Sequence, residues 1–351
     1  MADQIAQIVE QVKNARHTSQ SLSIVGGGSK SFMGRVSEGQ TLSVSGHSGI
    51  VTYEAVELVL TARGGTRISE IQAALDEQGQ RLSFEPPLFG GNATIGGTLA
   101  ANQSGPGRPW LGSVRDMVLG VRLVNGEGEE LRFGGQVMKN VAGYDLSRFQ
   151  SGAMGTLGVI TEVSLKVLPK PACCRTVKIS CGAAEAVATM NRLAGTPKPL
   201  TAACWVNEAL YLRLEGAESA VEGTIAQWPG EAFDDGESFW ADLREQQHSF
   251  FAGDQPLWRF STNSAAPVMA GESPLIDWGG SQRWVRGEQD EARLQQWARD
   301  QGGSVSRYRG GDRSAEINPP LAEPIKRLHQ RVKHAVDPHG LFNPGRLYSW
   351  L

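Results

Sequence analysis

Three glycine-rich stretches hold the residues most suited to chemistry. The first is Ile24-Val25-Gly26-Gly27-Gly28-Ser29-Lys30-Ser31-Phe32-Met33-Gly34, an apolar run that breaks into a glycine turn. Without Cβ atoms, main-chain N–H groups can converge on a pyrophosphate and offset its charge. Two familiar phosphate motifs are not met. Lys30 follows Ser29 rather than glycine, and Ser31 stands where a dinucleotide fingerprint needs its third glycine. A tight structural turn is the plainer alternative for this loop. The second stretch, Asn92-Ala93-Thr94-Ile95-Gly96-Gly97-Thr98-Leu99-Ala100-Ala101-Asn102, sets small residues where a helix is predicted to begin, a place that favours an anionic or carbonyl-rich ligand. The third, Gly152-Ala153-Met154-Gly155-Thr156-Leu157-Gly158-Val159-Ile160, runs into a strand. Each of these two alone reads equally well as tight packing. Together, three such loops favour a large, flat, phosphate-bearing ligand.

The rest of the composition narrows the class. The chain has 351 residues and 43 glycines. That is about 12% glycine against an ordinary ~7%, without collagen or linker periodicity. A net charge of −3 and no basic stripe argue against nucleic acid as a partner. The opening Met1-Ala2-Asp3-Gln4-Ile5 has no export signal, and no apolar run is long enough to span a bilayer. A cytoplasmic chain is expected. Cys173, Cys174, Cys181 and Cys204 have neither zinc nor iron–sulfur spacing, so four reduced thiols are expected and any iron–sulfur cluster must sit on another chain.

The elements that must position the loops follow from periodicity. Ile5, Ile8, Val9 and Val12 have helical spacing, with Asp3 as N-cap. Strands are predicted at Ser21–Val25, Val56–Leu60 and Val118–Val124. The last turns at Asn125-Gly126 into Glu130–Phe133. Ile68, Ile71, Ala74 and Leu75 mark a helix stopping at Gly79, and Val163, Leu165 and Val167 alternate as a strand. Past residue 172 the glycine signatures stop, and seven of the nine tryptophans fall between 205 and 297. A strand pair at Leu200–Val206 and Ala209–Leu214 and helices at Ser238–Phe251, Glu288–Gln301 and Ala322–Val336 are predicted there and beyond. The tryptophans read as core or interface packing.

The order of motifs resembles the vanillyl-alcohol oxidase type of flavoprotein, with its PCMH-type FAD-binding domain. The series runs from the first glycine loop through Glu85-Pro86-Pro87, Ala93–Gly97, Gly112-Ser113-Val114-Arg115-Asp116 and Gly155–Ile160. It closes on Asp337-Pro338-His339-Gly340-Leu341-Phe342-Asn343-Pro344-Gly345-Arg346, which resembles the D-lactate and glycolate dehydrogenase branch. Met138–Leu146 and Asp277–Trp284 look like the family of small FAD-binding subunits of bacterial glycolate oxidases. The resemblance implies an α+β fold: an FAD domain over 1–172, a smaller inserted cap over 173–320, and a segment 321–351 returning to the FAD domain. It implies that Gly26, Gly27, Gly28, Ser29, Lys30, Gly34, Pro87, Thr94, Ile95, Gly96, Gly97, Asn102, Arg115 and Asp116 bind FAD. Gly155, Thr156, Gly158, Val159 and Ile160 join them on the adenine–ribityl side, and Asn343 lies near the flavin ring. Residues 26–34 contain no histidine, so FAD is expected to be non-covalent. Relatives carry a metal site of two histidines and a glutamate in the cap. Of His17, His47, His248, His329, His334 and His339, only His248 lies there, and no metal is expected.

Oxidising a 2-hydroxy acid on flavin needs a base for the hydroxyl proton and cations for the carboxylate. Arg283 is the cap candidate for a bidentate carboxylate clamp, with a surface ion pair or a stack on tryptophan as its plainer role. Lys139 and Arg346 can stabilise negative charge on reduced flavin, or serve structure alone. Tyr144 and Asp145 can bond cofactor or partner, Asp145 otherwise capping a helix, and His339 is either a base or a turn residue. The resemblance further implies a complex that oxidises glycolate, with D-lactate as a second substrate, and passes electrons through an iron–sulfur subunit to quinone. Its partners would be a larger FAD-binding subunit and that iron–sulfur subunit, with membrane contact only through them. The alternatives are a self-sufficient FAD dehydrogenase of another hydroxy acid and a non-catalytic assembly subunit.

Overall fold

The computed structural model describes residues 3–135 and 145–351. They divide into two compact units, one from Met1–Gln103, Ser113–Pro169 and Asp312–Leu351, the other from Ser104–Gly112 and Lys170–Gly311. The chain thus returns to the first unit at Asp312, earlier than residue 321, and lends residues 104–112 to the second. The early return has a physical cause: the Arg313 guanidinium donates to the carbonyls of Gly34 (2.9 Å), Ser31 (2.8 Å) and Met33 (3.1 Å).

The first unit is built on a five-stranded antiparallel sheet in the order Ile50–Glu54, Val59–Arg63, Val159–Lys166, Val118–Val124, Glu130–Gly134. Its apolar face packs on the helices Ile68–Asp76 and Ile95–Ala101, with Leu60, Ile71, Leu75, Phe84, Leu99 and Leu165 fully buried. Burying one such side chain contributes roughly 1.5–3 kcal/mol. The strand expected at Val56–Leu60 is shifted to Val59–Arg63. Residues 55–58 are the hairpin turn, Leu58 is left-handed (φ 57°), and Val56 is 94% exposed. The Asn125 turn runs to Glu129 rather than closing in two residues, because Asn125 Oδ1 accepts the N–H groups of both Glu127 and Glu129.

A second small core carries the first glycine loop. Strand Leu22–Val25 pairs in parallel with Gln40–Ser43, and Phe342 of the C-terminal segment bridges to Leu22. Leu22 N donates to Leu341 O (2.7 Å) and Asn343 N to Leu22 O (2.9 Å). The helix Ile5–Thr18 covers this layer with Ile8, Val12 and Ala15, and the Asp3 carboxylate accepts Ile5 N at its start.

The second unit is an eight-stranded sheet in the order Glu231–Ala232, Cys173–Ser180, Ala209–Gly216, Leu200–Val206, Leu275–Asp277, Gln282–Arg286, Leu257–Ser261, Ser304–Arg309. Asn207 and Glu208, both left-handed, join its central hairpin as a two-residue turn. Helices Ala183–Ala194 and Glu291–Asp300 pack on it. The helix expected over Ser238–Phe251 is Gly236–Glu245 followed by a separate 3-10 turn, Ser249–Phe251, because the chain goes left-handed at Gln246 (φ 55°). Trp205, Trp240, Trp258, Trp278 and Trp284 are buried here, as packing predicts.

Candidate functional site

The first unit holds a cavity of about 180 Å³ at the end of strand Leu22–Val25. Gly26, Gly27, Gly28, Ser29, Lys30, Thr94, Gly97, Asn343 and Arg346, all anticipated from sequence, line it. Gly96, Gly155, Gly158 and Ile160 line a smaller adjoining space of about 70 Å³, also with Gly26, Thr94 and Asn343. The wall also includes residues that motif reasoning passed over, among them Ser23, Ser31, Ala100, Met154 and Gly64. Ser31, Ala100 and Met154 lie inside the three stretches and Ser23 just before the first, so adjacency was their signal; Gly64 had none, since it reaches the wall through tertiary pairing, its carbonyl accepting Gly96 N (2.9 Å).

Two glycines of the loop are imposed by packing. A Cβ on Gly27 would sit 1.4 Å from Asn92 O, and one on Gly26 would sit 2.4 Å from Thr94 Oγ1. Gly28 is left-handed (φ 70°) and faces open space. The chain therefore turns tightly here with its N–H groups outward. Among the described residues, the main-chain N–H groups of Gly26, Gly27, Gly28 and Ser29 donate to no protein acceptor. Unpaired amides converging on a cavity form a cradle for an anion such as a diphosphate, so the residues present fit the phosphates of FAD.

Asn343 ties three parts of the wall together. Its Oδ1 accepts Ile24 N (2.8 Å) and its Nδ2 donates to Met154 O (2.6 Å). Met154 and Gly155 are both left-handed, and a Cβ on Gly155 would lie 2.6 Å from Asn343 Nδ2. Thr94 caps the short helix Ile95–Ala101 by accepting Gly97 N (3.3 Å).

The cations at the site are anchored. Lys30 is buried, and its Nζ donates to Pro87 O (3.0 Å) and Ser29 Oγ (3.3 Å). Arg346 donates to Arg35 O (3.0 Å) and Ser31 O (3.1 Å); burial, with Arg313 beside it, brings its pKa down to about 10. Arg35 donates to the carbonyls of Gly345, Ala315 and Ser314. Arg35, Arg313 and Arg346 thus fasten the first loop to the C-terminal segment. That buckle had no sequence signal, because nothing in a lone arginine says which carbonyls it will meet.

Other expected residues lie away from both spaces. Gly34 (φ 74°) packs against the Arg346 side chain. Pro87 serves through its carbonyl, and Ile95 and Val159 are wholly buried core. Asn102 ends its helix left-handed and accepts Ser151 Oγ (3.0 Å). Asp116 closes a capping box on Ser113, with Arg115 in the same short helix Val114–Met117. Thr156 Oγ1 donates to Ala153 O, and its carbonyl takes Lys333 Nζ. Asp145 caps Leu146–Phe149 by accepting Arg148 N. Lys139 and Tyr144 lie outside the described residues.

Two chemical expectations are corrected. Arg283 is buried at 2% exposure in the second unit, donating to the carbonyls of Gly280, Pro267 and Ala266, with its guanidinium 5.7 Å from the Trp297 ring centroid. Its fork is spent on the main chain, so it is a structural clasp rather than a carboxylate clamp. His339 is exposed and pairs with Glu127 Oε1 (2.9 Å) on the surface, where it serves as no base for the cavity.

Comparison with known proteins agrees with this geometry. Residues 1–134 match the family model described as FAD binding domain. The chain is 46% identical, over 98% of its length and 97% of the relative's, to glycolate oxidase subunit GlcE of Escherichia coli (strain K12). It is 36% identical to glycolate oxidase subunit GlcD of Bacillus subtilis (strain 168) over 35% of this chain and 26% of that one. In fold it is similar to alkyldihydroxyacetonephosphate synthase, with a TM-score of 0.67 at 15% identity, covering 97% of this chain and 75% of that structure.

Proposed function

The chain belongs to the glycolate oxidase subunit GlcE family, and from that premise we propose that it is the smaller flavin-holding subunit of a multi-subunit glycolate-oxidising complex. Its cofactor is FAD, and it is an FAD-dependent oxidoreductase of the 2-hydroxy-acid class. The observation that carries the proposal is the cavity at Gly26–Ser29, whose unpaired N–H groups suit a diphosphate, within a chain alike to that subunit from end to end. FAD, when bound, supplies a two-electron acceptor for oxidation of glycolate to glyoxylate.

This chain's own residues position and hold. The loop amides of Gly26–Ser29 bind the phosphates. Thr94 and Gly97 flank the ribityl chain. Asn343 orients the wall at Ile24 and Met154, and Arg346 keeps a positive charge on the rim of the cavity. FAD is held non-covalently, as no histidine lies in 26–34. The partners are a larger flavin subunit and an iron–sulfur subunit that carries electrons toward quinone. No helix among the described residues is long and apolar enough to cross a membrane. The proposal places the complex in the cytoplasm, touching the membrane only through a partner.

The test is an anaerobic absorption spectrum of the purified chain, then of the chain with its partner subunits, each before and after glycolate. The expected result is a bound-flavin spectrum, released by denaturant, that bleaches with glycolate once the partners are present. A chain that takes up no flavin overturns the cofactor-holding role. Bleaching of the isolated chain by another hydroxy acid, with glycolate inert, establishes a self-sufficient dehydrogenase instead.

A further inference from the structure

A group of cations and rings in the second unit is not used by the cavity described above. The turn Trp278-Gly279-Gly280 carries three successive left-handed residues, with φ of 53°, 65° and 103°. A tryptophan in that region is unusual and is held only where its surroundings insist. Two contacts do so. Asp277 Oδ1 accepts Trp278 N (2.7 Å), and Trp278 Nε1 donates to Gly105 O (3.0 Å).

The ring so pinned draws two guanidinium groups, that of Arg108 at 4.4 Å from its centroid and that of Arg259 at 5.3 Å. Arg259 also lies 5.8 Å from the Trp284 ring and 5.9 Å from the Tyr308 ring. Among the described residues its guanidinium donates to no protein acceptor; its contacts are rings. The contrast with Arg283, one strand away and spent on three carbonyls, is direct.

Within this group the Arg259 fork keeps its donors available to a ligand. Burial lowers the pKa of Arg259, and the like charge of Arg108 lowers it further. Asp277, the carboxylate that opposes this, acts least on it and has Oδ1 committed to Trp278 N. Rings attract the face of a cation but offer its N–H groups no acceptor. Burial pushes the Tyr308 hydroxyl up to about 12, so it stays protonated at neutral pH.

We infer that Arg259, with Arg108 and the Trp278 ring, forms a binding site for a small planar carboxylate. The guanidinium fork of Arg259 matches two carboxylate oxygens in one plane, and aromatic walls keep the ion pair partly dry, where it is strongest. The choice of a two-carbon acid as ligand rests on the proposed 2-hydroxy-acid function; the anion site itself rests on the side chains alone.

The experiment is calorimetric titration of the full FAD-loaded chain with oxalate, which flavin cannot oxidise as a 2-hydroxy acid, and with sulfate in parallel. Flavin content is read from absorbance of the same sample. Oxalate is expected to bind one site per chain, and more tightly than sulfate. Arg259→Met should weaken it by roughly tenfold or more, as loss of a charge-assisted pair implies. Arg259→Lys should fall between, keeping the charge and losing the fork. Should Arg259→Met fail to fold by circular dichroism, Arg259→Lys and Arg108→Met carry the test, each expected to weaken oxalate with flavin content unchanged. Oxalate binding untouched by the folded variants, no oxalate binding to wild type, or sulfate binding as tightly as oxalate would each overturn the site. Loss of flavin from the wild-type chain is a separate result and bears on the function proposed above.

Discussion

Asn343 and Ile24 stand 319 residues apart, yet the Asn343 side chain accepts the Ile24 N–H at 2.8 Å. With its other end on Met154 O, this amide joins the first glycine loop, the third glycine stretch and the C-terminal segment in one wall. Asn343→Ala leaves Ile24 N and Met154 O without partners and puts alanine at φ 42°. A loss of about 2–4 kcal/mol is expected, with FAD content reduced in the purified chain. Asn343→Gly relieves the backbone but not the hydrogen bonds, and should fall between. Urea unfolding and flavin absorbance of the three proteins check the order. Equal stability of Asn343→Ala and wild type would show that the amide does not hold the wall.

The glycine loop separates packing from ligand contact. Gly27→Ala sets a methyl 1.4 Å from Asn92 O, so the loop must move and FAD binding should be lost. Gly28→Ala meets no atom but is left-handed, and should cost only about 1–2 kcal/mol while keeping FAD. Fluorescence titration of FAD into the two apo variants decides between them. FAD retained by Gly27→Ala with native affinity would sink the cradle assignment.

The sequence was most readable where the backbone itself is the functional group. Runs of glycine announced Gly26–Gly28, Gly96–Gly97 and the pair Gly155 and Gly158 because no side chain is needed to use an amide, and these line the two spaces. Strand Val118–Val124 was legible to the residue from its apolar run. Charged side chains were not readable. Arg283 and Arg259 lie on paired strands with similar aromatic neighbours, and only tertiary contacts make one a carbonyl clasp and leave the other facing rings. The shift of the Val56–Leu60 strand has a similar origin, since Val56 has a strand residue's apolarity but sits on the turn.

Arg283 should therefore matter to folding rather than to flavin. Arg283→Met removes donors from the carbonyls of Gly280, Pro267 and Ala266 inside the second unit. A loss of about 2–4 kcal/mol follows from the carbonyls left unpaired, with FAD affinity unchanged. Thermal unfolding alongside FAD titration tests both halves. Weakened FAD binding at full stability would return Arg283 to the functional residues.

Lys333 is the buried hub of the C-terminal closure. Its Nζ donates to Thr156 O (2.8 Å), Phe342 O (2.8 Å) and Asp337 Oδ2 (2.7 Å), while the Asp337 carboxylate also accepts Leu341 N and Phe342 N. Lys333→Met strands a buried carboxylate and should cost about 3–5 kcal/mol. Adding Asp337→Asn removes the stranded charge, so the double variant should lose less than the sum of the singles. A urea double-mutant cycle measures this, and strict additivity would mean the pair is not coupled.

His47 gives the fold a pH dependence of definite sign. It is buried, and its Nδ1 accepts Gln4 N (3.1 Å). Burial lowers its pKa below the ordinary ~6.5, against the opposing pull of Asp3 and Glu162 and the Thr161 carbonyl, while Arg63 lowers it further. The unfolded chain therefore takes up a proton that the folded chain refuses. The contribution to stability is intact above about pH 6.5 and falls as pH drops through that value toward the folded pKa, below which it levels off. His47→Gln should flatten this part of the profile when unfolding free energy is measured from about pH 8 to about pH 5. An unchanged slope in that variant would assign the acid sensitivity to other groups.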